Sequence, residues 1–194
     1  MVFARVFVMV FLLVVVTSTI ITFILPESYA STARISVDAD NAGKWKVVQS
    51  EAVLGPAINK LNLNADWGRK YNAGQTLNST NTLFFLKARL DVFPEPIGQV
   101  IDIKVFSEDK NEAARIANAI ADAYTNLLHS AANSATSAAK IEIVERAKPG
   151  HEPVRPNKPL NLFIGVVAGI ILGSIAGGAV AGFVSLPRRK TVPN

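Results

Sequence analysis

The chain has 194 residues, a formal net charge of +5 and no cysteine. The lack of thiols excludes disulfides, cysteine nucleophiles and cysteine-ligated metal sites. All 15 acidic residues lie between Glu27 and Lys158, and the basic residues within that stretch leave it with a charge of only +1. A nearly neutral middle segment argues against a basic nucleic-acid-binding face, so we expect no nucleic-acid partner.

Two stretches of the chain are apolar and carry no charged residue, at 6–25 and 159–186. A helix needs about 20 apolar residues to cross a hydrocarbon core of roughly 30 Å. We therefore predict transmembrane helices at 6–25 and 160–186. A signal peptide cleaved after Ala30 is the alternative for the first stretch, but the apolar part of such a peptide spans only about 7–15 residues.

The basic residues outside the two spans predict their orientation. Arg5 precedes the first span, and a basic triplet at 188–190 follows the second. Short flanks rich in arginine and lysine stay in the cytoplasm. The resulting two-pass arrangement has cytoplasmic ends at 1–5 and 187–194, an extracytoplasmic domain at 26–148 and a proline-rich collar at 149–159.

The middle domain begins with a predicted strand, since apolar and polar residues alternate over 29–37. Over 47–61 the apolar residues recur at steps of three and four, which indicates a helix. We expect that helix to be interrupted or kinked at Gly55-Pro56, because proline removes a backbone donor. A further short helix is predicted to continue over 67–71.

The second half of the domain contains a predicted helix at 82–90, a brief extended segment at 91–93 and the clearest strand at 99–106. Asp109, with Glu112 three residues later, resembles a capping box and predicts the start of a long helix. One face of that helix is apolar and comprises Ala113, Ile116, Ala117, Ile120, Tyr124, Leu127 and Leu128.

Residues 130–139 are rich in serine and alanine and favour a fraying helix end or a loop. A last strand is predicted at 140–147. This order of elements predicts a two-layer α+β domain, with a small sheet covered by helices.

The collar is the first candidate functional motif, and it comprises Pro149, Pro153, Pro156, Asn157, Lys158 and Pro159. Proline fixes φ and lacks a backbone donor, so the segment is expected to be stiff and extended. On spacing alone, a rigid spacer is the preferred interpretation.

The second candidate motif is a glycine series at four-residue steps: Gly165, Gly169, Gly173 and Gly177. This spacing forms a groove along one helix face, in which a partner helix gains close van der Waals contact. We expect C-terminal helices of different copies to pack along it. The alternative is the general tolerance of membrane helices for glycine.

Motifs for chemistry are not found in the sequence. His129 and His151 have no ligand-type neighbour at metal spacing, which favours surface positions for both. No nucleophile elbow, phosphate-binding loop or dinucleotide fingerprint is present. We therefore expect no catalytic residue, no metal, no cofactor and no enzymatic activity.

Four segments together resemble the Wzz-type chain-length determinants, or polysaccharide co-polymerases, of bacterial surface glycan assembly. They read LPESYASTARISV (25–37), SEAVLGPAINKLNL (50–63), IDIKVFSEDKNEAARIANAIADAY (101–124) and VERAKPGHEPVRPNKPLNLFIGVVAGIILG (144–173). The last two are the more specific, because a collar ending in PNKP directly before a glycine-rich span is seldom met elsewhere.

The resemblance implies a homo-oligomer in the bacterial inner membrane, among membrane lipid. It would act with a polymerase on a lipid-linked glycan and regulate chain length in lipopolysaccharide O-antigen, capsule or exopolysaccharide biosynthesis. The collar and the glycines at 165, 169 and 173 would be its functional motif. No bond would be made or broken by the protein itself.

This chain departs from typical members in two respects. Only residues 125–140 stand where a long helical arm is expected, and we expect no cytoplasmic kinase domain after the second span, so that any kinase partner would be a separate chain. Two other interpretations stay open. One is a membrane adaptor that activates a separate cytoplasmic tyrosine kinase, and the other is an unrelated extracytoplasmic sensor or scaffold.

Overall fold

A computed structural model describes residues 1–37, 43–95, 99–134 and 141–185. The chain divides into two units. The terminal unit joins Met1–Pro26 to Arg155–Asn194, and the central unit is Glu27–Val154.

The described residues form six α-helices, five strands and one 3₁₀ turn. In chain order they are α1 (Val2–Ile24), β1 (Ser28–Ser36), a 3₁₀ turn (Trp45–Gln49), α2 (Glu51–Lys60), α3 (Leu63–Tyr71), α4 (Ser79–Ala88), β2 (Leu90–Pro94), β3 (Val100–Ser107), α5 (Lys110–Ser134), β4 (Glu142–Glu145), β5 (Pro153–Arg155) and α6 (Lys158–Ser185).

The sheet has the strand order β2-β3-β1-β4, and β5 also pairs with β1. β1 is antiparallel to β3 and β4, and β2 is antiparallel to β3. Ala33 stands opposite Ile103 and Ile35 opposite Ile101, so the alternating apolar residues of both strands share one face. The predicted strands at 29–37 and 99–106 are confirmed.

The buried face of the sheet is covered by α5, which also packs against α2. The largest fully buried side chains of this core include Ile35, Leu54, Trp67, Ile103, Ile116, Ile120 and Tyr124. The apolar face predicted for α5 is buried there, apart from Leu127, which is half-buried. The predicted α+β domain with a small sheet covered by helices is confirmed, and the structure adds that its paired strands are antiparallel.

Helix α2 is not interrupted at Pro56, one of the two alternatives predicted there, because it runs as one helix from Glu51 to Lys60. Apolar residues on both sides of the proline are buried in the core and hold the two halves in one helix, while Ala52 and Pro56 lie on the exposed side. The breaks fall instead at Ser50, which has an extended backbone, and at Asn62, whose φ is +53°.

The predicted capping box at the start of α5 is also wrong. Asp109 accepts a hydrogen bond from the Asn111 backbone N–H (2.8 Å), but Glu112 does not reach back to it. The Glu112 carboxylate accepts from Trp67 Nε1 (2.8 Å) and from the Ser107 hydroxyl. A buried indole N–H needs an acceptor. Glu112 supplies it and is therefore not available to accept from the Asp109 backbone N–H, as a capping box would require.

Two helix bounds move relative to the sequence prediction. Helix α4 starts at Ser79, because the Asn78 side chain caps it by accepting from the Asn81 backbone N–H at 2.7 Å. Helix α5 continues to Ser134, so of the two alternatives for 130–139, a helix end or a loop, the first part is a helix end. Residues 135–139 of that prediction lie outside the described part of the chain.

Candidate functional site: the glycine groove and the proline collar

The glycine series of α6 is filled by α1 of the same chain. A Cβ atom built on Gly173 would lie 3.0 Å from Phe7 Cδ2 and 3.1 Å from the Phe7 carbonyl oxygen. At Gly169 the corresponding distances to Phe11 are 3.0 and 3.4 Å. Real Cβ atoms rarely approach this closely, so only glycine permits the observed contact between the two backbones.

The same pattern continues at both ends of the helix pair. A Cβ on Gly177 would meet Phe3, and one on Gly165 would meet Ser18 at less than 3 Å. Residue numbers rise along α1 while they fall along α6, so the two helices are antiparallel. The groove of this chain is therefore filled by α1, and packing between C-terminal helices of different copies stays a prediction.

Stacked phenylalanine rings form the α1 side of this contact. The ring centroids of Phe3 and Phe7 lie 6.2 Å apart, and those of Phe7 and Phe11 lie 6.0 Å apart with nearly parallel planes. Four-residue spacing on one helix thus meets four-residue spacing on the other, as in ridge-into-groove packing. The four-residue spacing of these phenylalanines can be read from the sequence. Their pairing with the glycines of α6 cannot, because the two helices lie far apart in the chain.

Hydroxyl groups of the two helices bond to backbone carbonyls. Thr17, Thr19 and Thr22 each donate to the carbonyl four residues earlier (2.8 Å), and Ser174 does the same on α6. Ser18 donates across the pair to the Asn161 carbonyl oxygen at 3.3 Å. These hydroxyls therefore need no solvent partner.

Phe3, Phe7 and Phe11 form a phenylalanine ladder on α1. An open cleft of about 430 Å³ lies on the same helix pair, beyond Phe11 towards the C-terminal end of α1. It is lined mainly by aliphatic and small side chains, among them Leu13, Ile21, Ile164 and Ala168. The cleft begins where α1 no longer presents rings to α6. It is an apolar recess rather than a site for chemistry.

The first half of the collar is fixed within the central unit. The Asn118 side chain of α5 donates to the Ala147 carbonyl and accepts from the Ala147 N–H, both at 2.9 Å. Gly150 approaches β1 so closely that a Cβ would lie 2.7 Å from the Ala30 carbonyl oxygen. The chain then pairs with β1 as β5, which begins at Pro153.

The second half of the collar forms the start of α6 in the terminal unit. The Asn157 side chain accepts from the Leu160 backbone N–H at 3.1 Å and thereby caps the helix. Lys158 and Pro159 lie in the first turn, two residues before the predicted span. The Lys158 ammonium stands 5.4 Å from the Phe23 ring centroid near the end of α1.

The collar prolines themselves remain accessible. Pro149, Pro153 and Pro159 are exposed, and Pro156 is half-buried. The sequence predicted a stiff segment, but it did not predict strand β5 or the two hydrogen bonds between the Asn118 side chain and the Ala147 backbone, called here the Asn118 clamp. A strand of three residues has no periodic signal, and the only signal for Asn118 was a polar residue beside the apolar face of α5.

A charged cluster joins α5 to its neighbours in the central unit. Asp122 contacts Lys60 Nζ at 2.9 Å and Arg146 Nη1 at 3.1 Å. Burial raises the pKa of Asp122, but the Lys60 hydrogen bond and the Arg146 charge outweigh it and hold the pKa below its usual value. His129 and His151 are both exposed, as the surface interpretation predicted.

We compared the sequence with protein-family models and with curated proteins. No protein-family model and no curated protein matches the sequence. The arguments for function therefore come from the sequence resemblance and from the geometry of the groove and the collar.

Proposed function

We propose that this protein is a non-enzymatic polysaccharide co-polymerase of the Wzz type, which regulates glycan chain length as an oligomeric membrane scaffold. It would act with a separate polymerase on a lipid-linked glycan in lipopolysaccharide, capsule or exopolysaccharide assembly. The observation that carries the proposal is the collar, because each of its halves is fixed by specific contacts within its own unit.

Membrane insertion of the terminal unit is supported by its surface. Helices α1 and α6 are long and apolar enough to cross a bilayer, with mean hydropathies of 2.8 and 2.2. Large side chains such as Leu13, Phe23 and Phe183 are mostly exposed on them, which suits lipid and not water. The hydroxyls bonded to backbone carbonyls meet the demand that polar groups in lipid find partners within the protein.

The antiparallel packing of α1 and α6 supports a two-pass orientation. It brings the start of α1 and the end of α6 to the same end of the helix pair. Arg5 lies in the first turn of α1 and the basic triplet at 188–190 comes after α6 in sequence, and the positive-inside rule then favours cytoplasmic termini. The central unit would stand on the opposite side, in the periplasm.

Assembly into a homo-oligomer is part of the proposal. Helix α4 exposes Phe84 to 70% and Phe85 to 38%, and their ring centroids lie 6.3 Å apart. An exposed aromatic pair of this kind is typical of protein interfaces. In such a scaffold the four segments that resemble co-polymerases supply β1, α2, the β3–α5 unit, and the stretch from β4 through the collar into α6.

The experiment is a gel ladder of the surface polysaccharide of the host. Deletion is expected to leave polymer present but to shift its length distribution, because the bond-forming enzyme remains. Complementation with Pro156→Ala and Lys158→Ala together should reproduce the shift, since the change alters how α6 begins. Complementation with His129→Ala and His151→Ala, both exposed, should restore the normal ladder.

An unaltered ladder in the deletion strain, with no paralogue in the genome, would reject the proposal and favour a sensor or scaffold. Loss of all polymer, restored by an active cytoplasmic tyrosine kinase, would favour the adaptor instead.

A further inference from the structure

Arg89, at the C-terminal end of α4, contacts two aromatic rings in the central unit. Its Cζ lies 4.8 Å from the Trp67 ring centroid and 4.9 Å from the Tyr71 ring centroid. Its Nη1 atom is buried and has no hydrogen-bond partner. Among the described residues, no carboxylate or carbonyl oxygen bonds to this guanidinium.

Three other arginines of the central unit, unlike Arg89, are paired with carboxylates. Arg34, Arg69 and Arg146 each contact a carboxylate oxygen at 3.8 Å or less. A guanidinium has five donors in a rigid planar fork that matches the paired oxygens of a carboxylate or phosphate. Nε and Nη2 of Arg89 are not among the buried atoms without a partner, and the residue as a whole is half-buried, so part of the side chain reaches solvent.

The Trp67 ring that contacts Arg89 is itself fixed. Trp67 is 1% exposed, and its indole N–H donates to Glu112. Glu112 is further bonded by the Ser107 hydroxyl, so its two oxygens are both engaged. The Arg89 fork is therefore held in place before any ligand arrives, which lowers the entropy lost on binding.

A second cation stands next to the same ring. Lys70 Nζ lies 5.1 Å from the Tyr71 ring centroid and 3.0 Å from a Glu108 carboxylate oxygen. Burial lowers the pKa of Lys70, but Tyr71 and Glu108 more than offset this and raise the pKa above its usual value. Because Glu108 is paired with Lys70, its charge is largely compensated and does not oppose an incoming anion at Arg89.

We propose that Arg89, held by Trp67 and Tyr71, is the centre of a binding site for an anionic group with two oxygens in one plane. The carboxylate of an acidic sugar and a phosphate ester share this chemistry. Their oxygens would accept hydrogen bonds from Nε and Nη2 of Arg89. The site would exist whether or not the protein regulates glycan length, so it stands apart from the co-polymerase proposal.

The test uses the full chain in a neutral detergent and the fluorescence of Trp67, isolated by Trp45→Phe. Titration with trigalacturonate or with inorganic phosphate is expected to change the Trp67 emission, and the uncharged maltotriose should not. Arg89→Gln should weaken binding by at least about tenfold. Lys87→Gln, which removes an exposed positive charge from the same helix, is the matched control and should bind as the parent does.

Arg89→Lys keeps the charge but removes the fork, so it should also weaken binding, and unchanged circular dichroism would verify its folding. Tighter binding of trigalacturonate than of phosphate would identify a sugar carboxylate as the natural group, and the reverse order a phosphate ester. Equal binding by the Arg89→Lys variant and the parent, equal losses in the Arg89→Gln and Lys87→Gln variants, or an equal response to maltotriose would each overturn the site.

Discussion

Replacing two glycines of the groove with leucine tests whether α1 is held by close backbone contact. At Gly169 and Gly173 the first atom of the new side chain would already lie about 3.0 Å from a phenylalanine ring carbon. At Gly173 it would also lie 3.1 Å from a backbone oxygen, which cannot rotate away. The two helices must therefore move apart.

The size of the effect follows from the number of contacts that the separation weakens. One optimal pair of heavy atoms contributes about 0.1–0.2 kcal/mol, and a gap of about 0.5–1 Å removes a quarter to a half of it. Over some tens of atom pairs along the ring–glycine contacts, the expected loss is about 1–3 kcal/mol. That is a large fraction of the stability of a two-helix contact.

The same helix offers a matched control. A Cβ on Gly178 or Gly182 would meet no atom within 4 Å, so Gly178→Leu with Gly182→Leu adds the same apolar groups without a collision. The chain has no cysteine, which allows Ser18→Cys and Asn161→Cys to be joined by a short bismaleimide. The Ser18 hydroxyl contacts the Asn161 carbonyl oxygen in the parent.

We expect cross-linking within one chain in the parent and in the control variant, and less of it in the Gly169→Leu, Gly173→Leu variant. The midpoint of detergent-induced helix separation should fall in the same order. Equal cross-linking in all three proteins would refute the packing argument. A cross-link that joins two chains in the parent would show that the groove receives a helix from another copy.

Two further predictions concern the central unit. Asp122→Asn should lower the free energy of unfolding by about 1 kcal/mol at neutral pH, the usual size for partly exposed pairs. Because the folded pKa of Asp122 lies below its ordinary value of 3.8, this stabilisation is present above that pH and disappears as the pH falls through the folded pKa. Thermal unfolding of the parent and the variant between pH 7 and 3 measures it, and a constant difference would contradict the assignment. Asn118→Ala should cost about 1–3 kcal/mol, since it leaves the polar backbone atoms of buried Ala147 without partners. Asn126→Ala, exposed on the same helix, should cost little, and equal losses in the two variants would show that the clamp at Asn118 contributes nothing.

Several features of this protein follow from its sequence alone, because they depend on neighbours within one turn or one strand. Two long uncharged stretches predicted the apolar helices α1 and α6. Alternation of apolar residues at Ile101 and Ile103 predicted β3, and steps of three and four predicted α5 and its buried face. The four glycines of α6 likewise predicted that another helix would approach that face closely.

Only the tertiary structure shows which residues contact each other when they lie far apart in the chain. The phenylalanine ladder of α1 fills the glycine groove because both have the same spacing in opposite directions, and neither helix specifies this register alone. Glu112 bonds to Trp67 instead of capping its own helix, because a buried indole has no other acceptor. Helix α2 continues through Pro56 because buried residues on both sides outweigh one missing hydrogen bond. In each case a long-range packing or polar demand outweighs the local preference, which is the part of the free energy that a single stretch of sequence does not contain.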